Sequence, residues 1–218
     1  MNMKKAIIFD MGGVLVDLDL DDCKKAFKEN LGYDAIDDIL DACHQKGIWG
    51  DLEEGVLEAD EFRSIVLADS RPGATAEDVD KAMWRILVGI APYKADLLKK
   101  MAEKYDLYLL SNNNSICLPC SAGMFKDAGV ALDKIFRKCF YSFEMKALKP
   151  APEFYKAVMA SIGLSGDEML FIDDSMKNVE GAEAVGLPAV YYKPGSDLAA
   201  LLSEVLSDPS LKMEGDCR

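Results

Sequence analysis

The sequence is poor in histidine, in basic charge and in long apolar runs, and each shortage excludes a class of protein. A single histidine, His44, stands among 218 residues. A Ser-His-Asp or Cys-His nucleophile would have to use it, and no other residue of that kind is present. Lys and Arg number 25 against 38 Asp and Glu, for a formal net charge of −13. Binding to a nucleic-acid backbone needs a basic face, and the same acidic excess argues against an anionic membrane surface. No stretch approaches the roughly 18 apolar residues of a membrane span. The opening Met1-Asn2-Met3-Lys4-Lys5 runs into an apolar segment that ends at Asp10, too short for a signal peptide. The six cysteines (23, 43, 117, 120, 139, 217) are scattered, without the density of a disulfide scaffold. They are expected to be reduced, in a cytoplasmic protein. There is no internal repeat and no low-complexity segment.

What the chain has is apolar residues in short, well-bounded runs. Half of it is apolar, enough for one large domain or one domain with an inserted lobe. Five β-rich runs stand out: Lys5–Asp10, Asp106–Ser111, Lys138–Phe143, Met169–Asp174 and Pro188–Lys193. Helical stretches near 94–104, 117–136, 151–162, 178–185 and 196–207 alternate with them. That alternation predicts an α/β fold, a Rossmann-like five-stranded parallel sheet with right-handed crossovers. It breaks once. Between the first two runs lie about 80 residues without a convincing strand, reading as helices near 20–31, 35–45, 59–69 and 76–88. The expected organisation is a core of residues 1–16 and 91–218 and a small all-helical cap of residues 17–90.

In open parallel sheets, ligands bind beyond the carboxyl ends of the strands. Here polar clusters sit at those ends. The first run stops at Asp10-Met11-Gly12-Gly13, where glycines allow a tight turn and close backbone approach. The second stops at Ser111-Asn112, the third is followed by Lys149-Pro150, and the fourth stops at Asp173-Asp174-Ser175, with Asn178 one turn on. Each cluster alone reads as a loop start, a helix cap or a solvated lysine. Together they suit phosphoryl transfer. One carboxylate attacks phosphorus, others hold Mg²⁺, and a hydroxyl and a lysine grip the phosphoryl oxygens. An acidic protein can bind a phosphate ester this way, because a metal and one lysine invert the local field.

The order Phe-Asp-Met-Gly-Gly-Val-Leu (9–15), Leu-Leu-Ser-Asn (109–112), Leu-Lys-Pro (148–150) and Phe-Ile-Asp-Asp-Ser-Met-Lys-Asn (171–178) resembles the four motifs of the haloacid dehalogenase superfamily. The segment from Gly47 to Phe62 resembles the cap of its sugar-phosphatase branch, which contains bacterial α-glucose-1-phosphate phosphatase. The resemblance implies a Mg²⁺-dependent phosphomonoesterase for a small phosphate ester, a sugar phosphate by preference, working through an aspartyl-phosphate. It implies that Asp10 is nucleophile and metal ligand, and that the Gly12 carbonyl and Asp174 are further ligands. Asp173 is then a ligand or an outer group, Ser111 and Asn112 contact the phosphoryl group, Lys149 bridges it to the nucleophile, and Asn178 braces the carboxylates. A monomer or small homo-oligomer is expected. Two other readings stand: a metal-free 2-haloacid dehalogenase with Asp10 attacking carbon, and a non-catalytic phosphate-ester-binding protein.

The chain departs from the pattern at Gly12. Most phosphatases that it resembles carry a second aspartate there, which protonates the leaving oxygen, a contribution of about 10²–10⁴-fold. The sugar-phosphatase branch is similar to this chain in having glycine. A sugar 1-phosphate, whose anomeric oxygen leaves more readily, suits such a site. Asp17 is a remote substitute or a hinge residue. His44 and Trp49 are cap residues that either face the cleft or serve the cap's own structure. Cys117-Leu118-Pro119-Cys120 has the spacing of a redox or metal pair without the second pair that tetrahedral zinc needs.

Overall fold

The computed structural model describes residues 4–40 and 47–213. The chain opens with β1 (Ala6–Phe9), passes a two-residue strand β2 (Asp17–Leu18) and enters a run of helices. These are α1 (Leu20–Ala26), continued by a π-helical turn over Phe27–Leu31, then α2 (Ile36–Ile39), α3 (Gly47–Glu54), α4 (Ala59–Ala68) and α5 (Ala76–Trp84). The chain leaves that lobe through β3 (Leu87–Gly89). Alternation follows: α6 (Pro92–Ala102), β4 (Asp106–Ser111), α7 (Cys117–Asp127), α8 (Leu132–Ile135), β5 (Phe136–Tyr141), α9 (Ser142–Met145), α10 (Pro152–Ile162), β6 (Met169–Asp173), α11 (Met176–Ala184), β7 (Ala189–Tyr191) and α12 (Leu198–Val205).

The main sheet has the order β5-β4-β1-β6-β7, and every pairing in it is parallel. β1 is the middle strand, and all four of its residues are buried. Ile7 and Phe9 face one apolar core, Ala6 and Ile8 the other. A strand covered on both faces has no polar side, so its sequence reads as a continuous apolar run. From β1 the chain builds outward through β4 and β5, then crosses back to lay β6 and β7 on the other side. The order therefore reverses at β1 and β6, and the crevice beyond their carboxyl ends is where a ligand belongs in such a sheet.

The cap has its own core. Phe27, Trp49, Phe62, Val66, Val79 and Met83 are buried together, and Ile116 and Cys117 of the main domain pack into the same cluster. Its helices begin where the chemistry favours it. In α5, Thr75 Oγ1 accepts the Asp78 N–H at 3.3 Å, and Asp78 Oδ2 accepts the Thr75 N–H at 3.0 Å.

Five features differ from the sequence expectation. The cap is rooted on a short antiparallel ribbon, β2 against β3, instead of being wholly helical. Strands this short carry no readable alternation. The stretch expected as one helix over 117–136 ends at Asp127, because Gly129 takes a left-handed conformation (φ 72°) and stops it. β5 then begins at Phe136 and ends at Tyr141, and Ser142 opens the single turn α9 in place of more strand. α3 was not anticipated, since Gly47 and Gly50 disfavour a helix. The helix expected over 35–45 shows one turn at Ile36–Ile39, and its later part lies outside the described residues, as do His44 and Cys43.

Candidate active site

Asp10 follows β1 directly, and its N–H still joins the sheet through the Ile172 carbonyl at 2.9 Å. Its side chain is thereby held at the carboxyl edge, where Oδ1 accepts the Met11 N–H at 2.7 Å. β6 delivers Asp173 and Asp174 beside it. Carboxylate oxygens of Asp10, Asp173 and Asp174 all lie within 4.8 Å of one another. Lys149, 5% exposed, reaches in from the loop before α10. Its ammonium pairs with Asp10 Oδ1 and Asp173 Oδ2, both at 2.7 Å, and donates to the Leu110 carbonyl at 3.1 Å. All three of its N–H bonds are thus used. A buried ammonium needs such partners to be tolerated.

Asp173 is also saturated. Its Oδ1 accepts the Ser175 N–H at 2.8 Å and the Asn178 amide at 2.9 Å, and Oδ2 accepts Lys149. Asn178 is carried by the first turn of α11. Asn112 turns toward the Lys149 main chain: its Oδ1 accepts the Lys149 N–H at 2.9 Å, and its Nδ2 donates to the Lys149 carbonyl at 3.1 Å. Both polar atoms of that side chain are therefore spent on placing the lysine. Ser111 is buried at the tip of β4, with its hydroxyl on the Asn112 carbonyl at 3.2 Å. Asn113 links the site to the rest of the edge, with Nδ2 3.5 Å from the Met11 sulfur and its N–H on Ser142 Oγ at 3.0 Å.

The electrostatics follow from three acids around one base. Burial, and then the neighbouring Asp173 and Asp174, push the Asp10 carboxyl well above the usual carboxylate range, against the pull of Lys149. Burial and Asp173 push Asp174 up to about 6. Burial alone would lower Lys149, but Asp10 and Asp173 more than offset it and its pKa ends raised. The cluster holds more negative charge than one ammonium balances, a state that an added cation relieves. The donors available are carboxylate oxygens, the ligand type that Mg²⁺ takes, so the residues present fit that ion.

The two glycines do different things. Gly13 has φ 74°, and a Cβ there would fall 2.0 Å from Asp174 Oδ2. Only glycine lets the loop pass this close to the acid. At Gly12 a Cβ would stand 3.0 Å from Leu18 Cδ1. A second aspartate there would press on the partly exposed Leu18 side chain, which would have to turn aside.

The other residues singled out in the sequence lie elsewhere. Asp17 Oδ1 accepts the buried Lys94 ammonium at 2.7 Å, at the root of the cap. Trp49 is buried among Phe27 and Phe62, and its indole N–H donates to Glu53 Oε1 at 2.9 Å. Cys117 is buried in the cap cluster and Cys120 is partly exposed; burial raises both thiols, so neither favours the reactive thiolate. His44 lies outside the described residues. Sequence reasoning missed Asn113, Ser142 and Glu53. The last had a legible signal: Trp49, Leu52 and Glu53 fall at i, i+3 and i+4, one face of α3, and all three are buried.

A family model for haloacid dehalogenase-like hydrolases matches residues 4–186. D-ribitol-5-phosphate phosphatase of Bacteroides thetaiotaomicron is 33% identical over 207 residues, spanning 94% of this chain and 100% of that protein. The crystal structure of a HAD family enzyme from the same organism, in complex with magnesium and inorganic phosphate, is 35% identical. It superposes with a TM-score of 0.84 over 91% of this chain and 98% of that one. A predicted HAD-like hydrolase of Porphyromonas gingivalis is 31% identical, with a TM-score of 0.86 over 94% and 98%. L-2-haloacid dehalogenase of Xanthobacter autotrophicus, at 21% identity and a TM-score of 0.60, shares the fold. The motifs at the strand tips, the sheet order and these matches lead to one conclusion: the chain belongs to the haloacid dehalogenase-like hydrolases.

Proposed function

We propose that this protein is a Mg²⁺-dependent phosphomonoesterase for a small phosphorylated polyol or sugar, acting through an aspartyl-phosphate on Asp10. The observation that carries the reading is the trio Asp10, Asp173 and Asp174, with ligand oxygens within 4.8 Å of one another, gathered around the fully engaged Lys149. Three converging acids suit a cation, which a dehalogenase attacking carbon does not require. The similarity to a D-ribitol-5-phosphate phosphatase, and to an enzyme that binds magnesium and inorganic phosphate, supports the same reading and the substrate class.

In this mechanism Asp10, the Gly12 carbonyl and Asp174 would hold the ion, while Asp173, bonded by Lys149, Ser175 and Asn178, orders the lysine. Bound Mg²⁺ supplies the positive charge that lets an anionic carboxylate meet an anionic ester. Asp10 attacks phosphorus, a new P–O bond forms, and the ester oxygen leaves with its bonding pair. Ser111 and the backbone of Asn112 receive phosphoryl oxygens at the tip of β4. Lys149 stays on the nucleophile and balances charge on the transferring group. Water then attacks the aspartyl-phosphate, which frees inorganic phosphate and restores Asp10. The cap, residues 17–90, closes over the leaving group, excludes bulk water and sets specificity.

The test is phosphate release from polyol phosphates, sugar 1-phosphates and terminal sugar phosphates, with Mg²⁺ or with chelator. Release from a few members, abolished by chelator, is the expected result. Release that ignores chelator, or none from any member, overturns the reading.

A further inference from the structure

We propose that Glu53 is the proton donor to the leaving oxygen, supplied by the cap in place of the side chain that Gly12 lacks. The proposal rests on the phosphatase reading above and concerns the half of the site that the core leaves unbuilt.

Among the described residues of the cap, Glu53 is the only charged one that is buried, at 7% exposure. The other charged residues described in the cap are partly or fully exposed, so burying this one carboxylate carries a desolvation cost that the Trp49 hydrogen bond offsets only in part. Its position is fixed from the core side. Ser142 Oγ donates to the Glu53 carbonyl at 2.5 Å, and the same hydroxyl receives the N–H of Asn113. Asn113 in turn touches Met11, the neighbour of the nucleophile. The end of α3 is clamped further by Lys146, whose ammonium donates to the Gly55 carbonyl, and by the close approach of Gly55 to the Phe143 carbonyl. The Glu53 main chain is therefore held at the seam where the cap meets the core, and its carboxyl lies within electrostatic reach of Lys149.

The groups acting on its carboxyl are few. The Trp49 indole, on its own helix, donates to Oε1. From the core, the Lys149 ammonium is near enough to favour its ionised form. On α7, the buried Cys117 thiol feels the Glu53 charge. Burial outweighs Trp49 and Lys149 and pushes the carboxyl up to about 7, so that at neutral pH about half of it carries the proton a leaving alkoxide needs. Gly12 has no side chain to offer a proton. The step balances. As the P–O bond to the ester oxygen breaks, that oxygen takes the Glu53 proton and departs as an alcohol. When water attacks the aspartyl-phosphate, Glu53 takes a proton from it and is ready again.

The experiment is Glu53→Gln, measured as single-turnover product release across phosphate esters whose leaving groups grow steadily more acidic, from a polyol phosphate to p-nitrophenyl phosphate. The expected loss is about 10²–10⁴-fold for the polyol phosphate. It shrinks as the leaving group becomes able to depart unprotonated. The wild-type rate on the polyol phosphate should also fall as pH rises through about 7, and that limb should vanish in the variant. An equal loss on every ester, or an unchanged pH limb, overturns the proposal. If Glu53→Gln fails to fold, Trp49→Phe serves: without the indole N–H the limb should move to higher pH, and a fixed limb overturns it. Failure of the phosphatase reading looks different, because the unmodified protein would then release product from none of the esters.

Discussion

The catalytic edge of the sheet and the helical cap handle charge in opposite ways. At the edge, Asp10, Lys149 and Asp173 are buried and tied to each other, so every one is a condition for its neighbours. In the cap, ion pairs such as Lys28 with Asp37, Lys81 with Glu77 and Arg85 with Asp22 lie on the surface, where salt and water screen them. Among the described residues of the cap Glu53 is the exception, and its main chain is tied to Ser142 of the core. The comparison separates two tasks. In the proposed mechanism the edge holds one charge arrangement for any phosphate ester, while the cap is free to vary its surface and to specialise through the few groups it buries.

The difference between edge and cap breaks most sharply at Asp10, the proposed nucleophile. Asp10→Asn keeps the hydrogen-bonding shape and removes the attacking charge, so turnover should fall by on the order of 10⁴–10⁶-fold with the fold intact. Far-UV circular dichroism alongside phosphate release checks both halves, and substantial turnover by a folded variant would sink the aspartyl-phosphate mechanism. Lys149→Met should come next. It strands buried carboxylates without their cation, a loss of about 3–5 kcal/mol in stability for a broken buried pair. Urea unfolding measures it, and Mg²⁺ should restore part of the loss. An unaltered midpoint would show that the edge does not depend on its lysine.

Much of the edge was legible because a fully buried strand is an unbroken apolar run, and a polar residue that ends such a run stands out. Asp10, Ser111 and Asp173 all end strands, and the resemblance could be attached to them. The seam was not legible in the same way. β2 and β3 are too short to alternate, and the glycines of Gly-Ile-Trp-Gly hide α3. Glu53 sits in the acidic string Asp51-Leu52-Glu53-Glu54, which composition reads as solvated. Its spacing from Trp49 and Leu52 hints at a buried face, but its tie to Ser142, on a distant segment, leaves no local trace. Asn112 shows the same limit: its place beside Ser111 was readable, but the bonds of its side chain to the Lys149 main chain were not.

At the root of the cap the two regimes meet, and the expected effect is smaller. Lys94 is 2% exposed, and its partner Asp17 is half exposed. Asp17→Ala leaves the ammonium with the Tyr192 ring, 5.8 Å away, as a weaker partner. A cost of about 1–3 kcal/mol is expected from stranding a buried donor. Thermal unfolding measures it, and a neutral result would place the root with the cap's dispensable surface pairs.

The smallest predicted effect is also the one that separates edge from seam most cleanly. Asp174 has its folded pKa raised from 3.8 to about 6. Such a group contributes stability while protonated, fully present below the unfolded value, and that contribution is lost as pH rises through about 6. The metal-free protein should therefore be weakened at the edge between about pH 4 and 6, the window set by those two values. A cation held by the ionised carboxylate acts in the other direction, because it must first displace any proton. The Mg²⁺-induced rise in Tm should grow from pH 5 to pH 8. About tenfold weaker binding at pH 5 corresponds to roughly 1.4 kcal/mol, or about 3–5 °C in a protein of this size. Glu53 has its own raised value, but it ligates nothing, so Glu53→Gln should leave this pH dependence of the Mg²⁺ shift in place. If the variant flattened it, the cap carboxylate would be part of the ion's site, and the division of labour between edge and cap would have to be redrawn.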